Sequence, residues 1–233
     1  MKFKSKINFY LTILIPEFII KLFLINYSYK LFYSYFIRKI KKKAKKALEI
    51  NLYSRLNQII PTSDNINDIS NDEKNSLIKN ADNILDGKYC FLGVNNIDFK
   101  NINWHKDYIS SFEWKAGKYY KNYKQVDLSN DSDVKIPREL SRSHHILQVA
   151  IAYKLTKDVR YSKFVIKQIF DWIDNNPLMY SINWGCSMDV SIRAINWMWA
   201  LSLISESHKK NDDIELNKIV NSLYEHGWFV YRN

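Results

Sequence analysis

Residues 187–204 read SMDVSIRAINWMWALSLI. Met188, Ile192, Ile195, Trp199 and Leu203 recur at three- and four-residue intervals, the period of a helix with one apolar side. No Gly or Pro interrupts the run. Working outward, residues 159–174 repeat the pattern with Phe164, Ile166, Ile169, Phe170 and Ile173, and Asn175-Asn176-Pro177 predicts its end. Before that, residues 138–155 place Leu140, Ile146 (or Leu147), Ala150 and Leu155 on one side of a further helix. After it, residues 212–229 place Ile214, Ile219, Leu223 and Phe229 likewise. Helix, break, helix along this half of the chain predicts an all-α fold of antiparallel helical hairpins. There is no fixed-period repeat.

Composition agrees. The 233 residues contain five Gly and four Pro, too few for a turn-dense β fold, and 15% aromatics, too many for a disordered chain. The net charge of +11 is concentrated at one end. Residues 1–56 hold 13 Lys/Arg against Glu17 and Glu49, and the rest of the chain holds 22 bases and 22 acids. A neutral body argues against a nucleic-acid partner. Cys90 and Cys186 lack metal-site spacing and make no disulfide framework.

Residues 1–60 read as a leader, apolar and then polybasic. Residues 7–26 (INFYLTILIPEFIIKLFLIN) are long enough to cross a bilayer but carry Pro16, Glu17 and Lys21. Their Ile, Leu and Phe residues favour insertion by roughly 4 to 8 kcal/mol, while Glu17 and Lys21 oppose it by about 2.5 to 3.5 kcal/mol each. The two terms nearly cancel once Asn8, Pro16 and Asn26 are added. No small-residue cleavage site follows, so a cleaved signal peptide is not expected. The aromatic stretch Tyr27–Phe36 and basic run Arg38–Lys46 suit peripheral contact with an anionic membrane surface. They equally suit a helix packed on the body with a solvated lysine face.

Residues 61–80 are a polar linker running into a helix, for which Ser70 and Glu73 have capping-box spacing. Asn71 or Asp72 is the alternative cap. Residues 91–136 mix aromatics with Asn, Asp and Lys without a clear period and read as irregular, loop-bearing chain.

Three stretches combine into a more specific pattern. The first is Ile102-Asn103-Trp104-His105-Lys106-Asp107 with Phe112-Glu113-Trp114. The second is Asp133-Val134-Lys135-Ile136-Pro137-Arg138-Glu139-Leu140-Ser141-Arg142, leading into Ala152–Asp158 and Tyr161. The third is Asp171-Trp172-Ile173 and Asn176-Pro177, then Asn183-Trp184-Gly185-Cys186-Ser187-Met188-Asp189-Val190-Ser191-Ile192-Arg193-Ala194-Ile195-Asn196-Trp197. In order and spacing this resembles the N-terminal domain of the heparinase II/III family over roughly residues 80–230. Arg138 departs from it, since the family usually has an aromatic residue before the Glu.

The resemblance implies that residues 61–233 form part of an (α/α) toroid with a polysaccharide cleft, followed in full-length members by a β-sandwich region. It implies a bacterial envelope or periplasmic setting and an acidic, uronate-containing polysaccharide as partner. It implies no cofactor, and no metal motif is present. Members cleave by β-elimination: a base takes the C5 proton, the neighbouring carboxylate is neutralised, and an acid protonates the departing oxygen. An Asn-His pair, a Tyr and a further His fill these roles in the family. No Asn-His pair occurs in this sequence, and Tyr231-Arg232-Asn233 stands where the family approaches it. The expectation is therefore cleft walls without catalytic residues. Two functions compete with a lyase part: a non-catalytic carbohydrate-binding protein, and a hydrolase, which needs two opposed carboxylates.

The expected substrate-binding residues are Trp104, Lys135, Glu139, Arg142, Trp184 and Arg193. Trp104, Trp114 and Trp184 lie in or beside predicted loops, where an indole face can stack on a sugar or pack in the core. Lys135 is expected in a loop within reach of an acidic sugar. Glu139 and Arg142, three apart on the first turn of a helix, suit a structural pair or a substrate contact. Arg193 suits a planar carboxylate or an intrahelical pair with Asp189. Trp197 and Trp199 are expected in the core. His144 and His145, being adjacent, point to different sides and make no metal pair, and His226 is expected to favour a helix C-terminus when charged.

Overall fold

The structure, a computed structural model, describes residues 69–207 and 214–233, with Arg38 alone before them. The chain divides into two units, Met1–Lys46 and Ala47–Asn233, and both described stretches belong to the second. The leader's readings as a membrane-contacting or packed segment lie outside the described residues. Among those described, no helix is long and apolar enough to cross a membrane.

Six helices carry the described fold: α1 (Asn71–Leu85), α2 (Lys135–Ser141), α3 (His144–Thr156), α4 (Val159–Asn175), α5 (Ser187–Leu203) and α6 (Ile214–Arg232). There is no strand among the described residues, only isolated bridges at Phe91–Val94 and Lys106–Glu113. The fold is all-α.

The reciprocal cap expected at Ser70 is present. Its hydroxyl accepts from the Glu73 N–H at 3.3 Å, and the Glu73 carboxylate accepts from the Ser70 N–H at 3.0 Å. Helix α3 packs on α1, α4 and α5, burying Ile146, Val149, Ala150 and Tyr153, while His144, Gln148 and Lys154 reach solvent. Lys157, in the left-handed region at φ 60°, closes α3, and Asp158 caps α4 by accepting from the Arg160 N–H at 2.9 Å. This two-residue turn folds α4 back along α3. Helix α6 packs on α5 and α4.

Three sequence expectations need correction. The helix predicted over 138–155 is two helices, because Ser143 takes φ 64° and breaks the chain between α2 and α3. Lys135 is not in a loop but opens α2, where its N–H donates to Asp133 Oδ1 at 2.8 Å. Pro137 follows within the first turn, where its missing N–H has no cost. The buried side of α5 is also rotated from the predicted one. Met188, Ile195 and Trp199 are exposed, Leu203 is buried as expected, and Val190, Arg193, Trp197, Ala200, Leu201 and Ile204 face inward. Hydrophobicity alone chose the wrong stripe because the inward one contains a charge, Arg193.

Candidate polysaccharide-contact site

Two serines organise the centre. The hydroxyl of Ser141, the last residue of α2, accepts the Trp172 indole N–H at 3.1 Å. That of Ser143, at the α2–α3 break, accepts the Trp197 indole N–H at 3.1 Å. All four groups are buried. Trp104 donates its indole N–H to Asp171 Oδ2 at 2.6 Å, and Trp184 donates to the Asn176 carbonyl at 3.1 Å. Asn183 ties the two loops together, donating to the Trp104 carbonyl at 2.8 Å and to Asn176 Oδ1 at 2.9 Å. The expected loop tryptophans Trp104 and Trp184 are thus 1% and 0% exposed and belong to the core, with no indole face open to a sugar. Trp197 is buried as expected, but Trp199 is 39% exposed.

Arg193 joins this core rather than a cleft surface. Its guanidinium lies 3.9 Å from the Trp172 ring centroid and 5.4 Å from that of Trp184. Its Nε donates to His226 Nε2 at 2.7 Å. His226 Nδ1 stands 2.6 Å from the Ser222 carbonyl, so the proton sits on Nδ1 and the imidazole is neutral. Burial, then the nearby Arg193 charge, hold the His226 pKa well below the ordinary histidine value. The expectation of a charged His226 at a helix end does not hold. Burial also pulls Arg193 down to about 9, which leaves it cationic at neutral pH. Cation–π contact and hydrogen bonds replace the carboxylate it lacks.

Asp189, the expected intrahelical partner of Arg193, instead accepts from Arg142 Nε at 2.8 Å. Arg142 caps α2 rather than lying on its first turn, and its Nη1 donates to Glu139. Burial opposes the Arg142 charge, but Asp189 and Glu139 outweigh it and raise its pKa. Asn196 of α5 donates to the Arg142 carbonyl at 2.8 Å and lies 3.2 Å from His144 Nδ1. An amide donating there puts the proton of a neutral His144 on Nε2, which faces Glu139 Oε1 at 3.8 Å. Tyr89 packs elsewhere, on His145 with ring centres 5.6 Å apart and on Phe91 and Phe99. Burial, with the Glu139 charge adding to it, pushes its phenol up to about 12, so it remains a hydrogen-bond donor. Glu139, Arg142, His144 and Asn196 therefore form a partly open patch anchored on nearly buried Asp189. Lys135 is exposed at the start of the same short helix. Such a patch offers a cation for a carboxylate and an imidazole beside a carboxylate for proton exchange.

The profile described as the heparinase II/III N-terminus matches residues 31–233. The chain belongs to the heparinase II/III family. No curated protein and no solved structure matches it significantly. The heparinase II/III match also takes in residues 31–60, the second half of the leader. Within it, Arg138 has a defined task. Its Nε donates to the Ile182 carbonyl at 3.3 Å and its Nη2 to Gln125, so it joins α2 to the loops on either side. The heparinase II/III chain is accordingly lyase-like in family. Of the six expected contact residues, Lys135, Glu139 and Arg142 reach the partly open side, and Trp104, Trp184 and Arg193 are buried in the core. Sequence reasoning missed His144 and Asn196 as members of the patch. Asn196 and Asp189, seven apart on α5, carried a usable signal, because two helical turns return to the same side.

Proposed function

We propose that this chain supplies substrate-contacting walls of a lyase acting on acidic, uronate-containing polysaccharide, within an (α/α) toroid. The observation that carries the reading is the partly open Glu139–Arg142–His144 patch inside a heparinase II/III N-terminal domain. Arg142 is held by Asp189 and Glu139 and presents a fixed cation to a uronate carboxylate. Neutralising that carboxylate is what makes the C5 proton removable. The proton-removing centre is not formed by these residues alone, since the sequence contains no Asn-His pair.

The test is to mix the chain with heparan sulfate and with alginate, measuring binding by calorimetry and cleavage by the ultraviolet absorbance of unsaturated uronate. Binding without new absorbance is expected. New absorbance from this chain would overturn the assignment of catalysis to other residues. No binding to either polymer would overturn the substrate class.

A further inference from the structure

A groove of about 610 Å³ is bordered by Asn103, His105, Glu113, Trp114, Lys115 and Asn175. It is built on a short antiparallel pairing. The Trp114 N–H donates to the His105 carbonyl at 2.9 Å, the Asp107 N–H donates to the Phe112 carbonyl at 2.8 Å, and Lys106 bridges to Glu113 between them. Directly opposite residues in such a pairing share a side, and neighbours alternate. Lys106 and Glu113 therefore share one side, where their charges lie 3.7 Å apart. His105 and Trp114 share the other.

Each of the two brings a group with capacity for a ligand. His105 is 6% exposed and its Nε2 has no hydrogen-bond partner. Burial keeps its ring neutral, which suits a sugar hydroxyl better than a carboxylate. Trp114 is half-buried: it packs on Tyr123, Val134 and Ile182, and meets Phe112 with ring centres 5.0 Å apart and planes at 72°. Cations follow at every third residue: Lys115, Lys118, Lys121 and Lys124, all exposed. Lys118 lies over the Tyr123 ring at 5.9 Å and Lys121 over the Tyr120 ring at 5.7 Å. Among the described residues, only Lys124 of the four has a carboxylate partner, Asp127 at 3.4 Å.

We propose that this groove and lysine row form a second subsite for an acidic saccharide chain, separate from the Glu139–Arg142 patch. Trp114 stacks on a pyranose ring, His105 hydrogen-bonds a hydroxyl, and Lys115, Lys118 and Lys121 meet successive carboxylate or sulfate groups. The inference rests on the polysaccharide reading above.

The experiment titrates heparin and alginate oligosaccharides into the 233-residue chain by calorimetry. The K115E/K118E double variant is expected to weaken binding about tenfold or more and to flatten its salt dependence. Trp114→Phe is expected to weaken it about threefold. A matched charge reversal of exposed lysines elsewhere, K79E/K163E, is expected to change it by no more than about twofold. Thermal melting followed by circular dichroism verifies that each variant is folded. Equal losses in K115E/K118E and K79E/K163E would overturn the subsite. Binding weakened by Arg142→Ala but not by K115E/K118E would overturn it too, while leaving the polysaccharide reading intact. If the unaltered chain binds neither oligosaccharide, subsite and polysaccharide reading fall together.

Discussion

Arg193 on α5 donates from Nε to His226 Nε2 on α6 across 2.7 Å, both side chains being 0% exposed. The pair joins two helices by a charged donor and a neutral acceptor, with Trp172 stacked on the guanidinium. Removing His226 leaves Arg193 Nε dry and unmatched, and removing Arg193 does the same to His226 Nε2.

Arg193→Ala is expected to destabilise the fold by about 3 kcal/mol or more, through a cavity against Trp172 and an orphaned imidazole nitrogen. Arg193→Met fills the space without a buried charge and is expected to cost about 1 to 2 kcal/mol less than the alanine variant. Urea midpoints rank the variants. Equal losses would show that volume is not the deciding factor.

Acid should weaken the fold through its buried histidines. His226 is held well below its ordinary value of 6.5, and burial lowers His145 to about 3. The unfolded chain binds these protons near pH 6.5 while the folded chain refuses them, so stability is full above that pH and falls below it. Each histidine contributes a slope of about 1.4 kcal/mol per pH unit once well below its unfolded value, and for His145 the loss continues toward pH 3. Denaturation at pH 7.0 and 5.5 should show a clear drop. An unchanged midpoint would contradict the neutral, buried imidazoles.

Arg142→Ala should remove about 2 kcal/mol, because Asp189, with a side chain 5% exposed, loses its counter-charge. Adding Asp189→Asn should return part of that loss, and a double-mutant cycle reads the coupling. Strictly additive losses would mean that the 2.8 Å contact carries little energy.

Two glycines should respond differently to alanine. At Gly87, φ is 79° and an added Cβ would stand 2.9 Å from the Ile97 carbonyl oxygen, a backbone atom. At Gly185 the added Cβ would meet the Arg138 guanidinium, the end of a flexible side chain. Gly87→Ala should therefore cost about 2 kcal/mol and Gly185→Ala about 1 kcal/mol, the latter by displacing Arg138 from Gln125 and Ile182. The reverse order in thermal melts would show that Arg138 cannot move aside.

Local signals in the sequence translated well. Ser70 and Glu73 cap α1, Asn175-Asn176-Pro177 ends α4, and His144 and His145 point to different surroundings, as their spacing requires. What failed depended on distant partners. The left-handed turn at Ser143 accompanies the Trp197 indole that its hydroxyl receives, and no window around residue 143 contains that tryptophan. The inward side of α5 was misread because Arg193 looks like a surface residue until the rings of Trp172 and Trp184 surround it. Trp104, Trp114 and Trp184 look alike as loop residues. Trp104 and Trp184 find fixed acceptors for their N–H groups and are buried, whereas Trp114 borders the groove.

Asp107 shows how the two regions are kept apart. It is 1% exposed, and its carboxylate accepts from the Ile109, Ser110 and Asp133 N–H groups and the Ser110 hydroxyl. It thus fixes the turn that sets the His105–Trp114 register without using either residue's side chain. Exchange of the exposed Lys115, Lys118 and Lys121 can therefore change the charge of this surface while Tyr120 and Tyr123 stay in the core. Relatives diverging in this family should keep Asp107 long after their lysine rows have ceased to match.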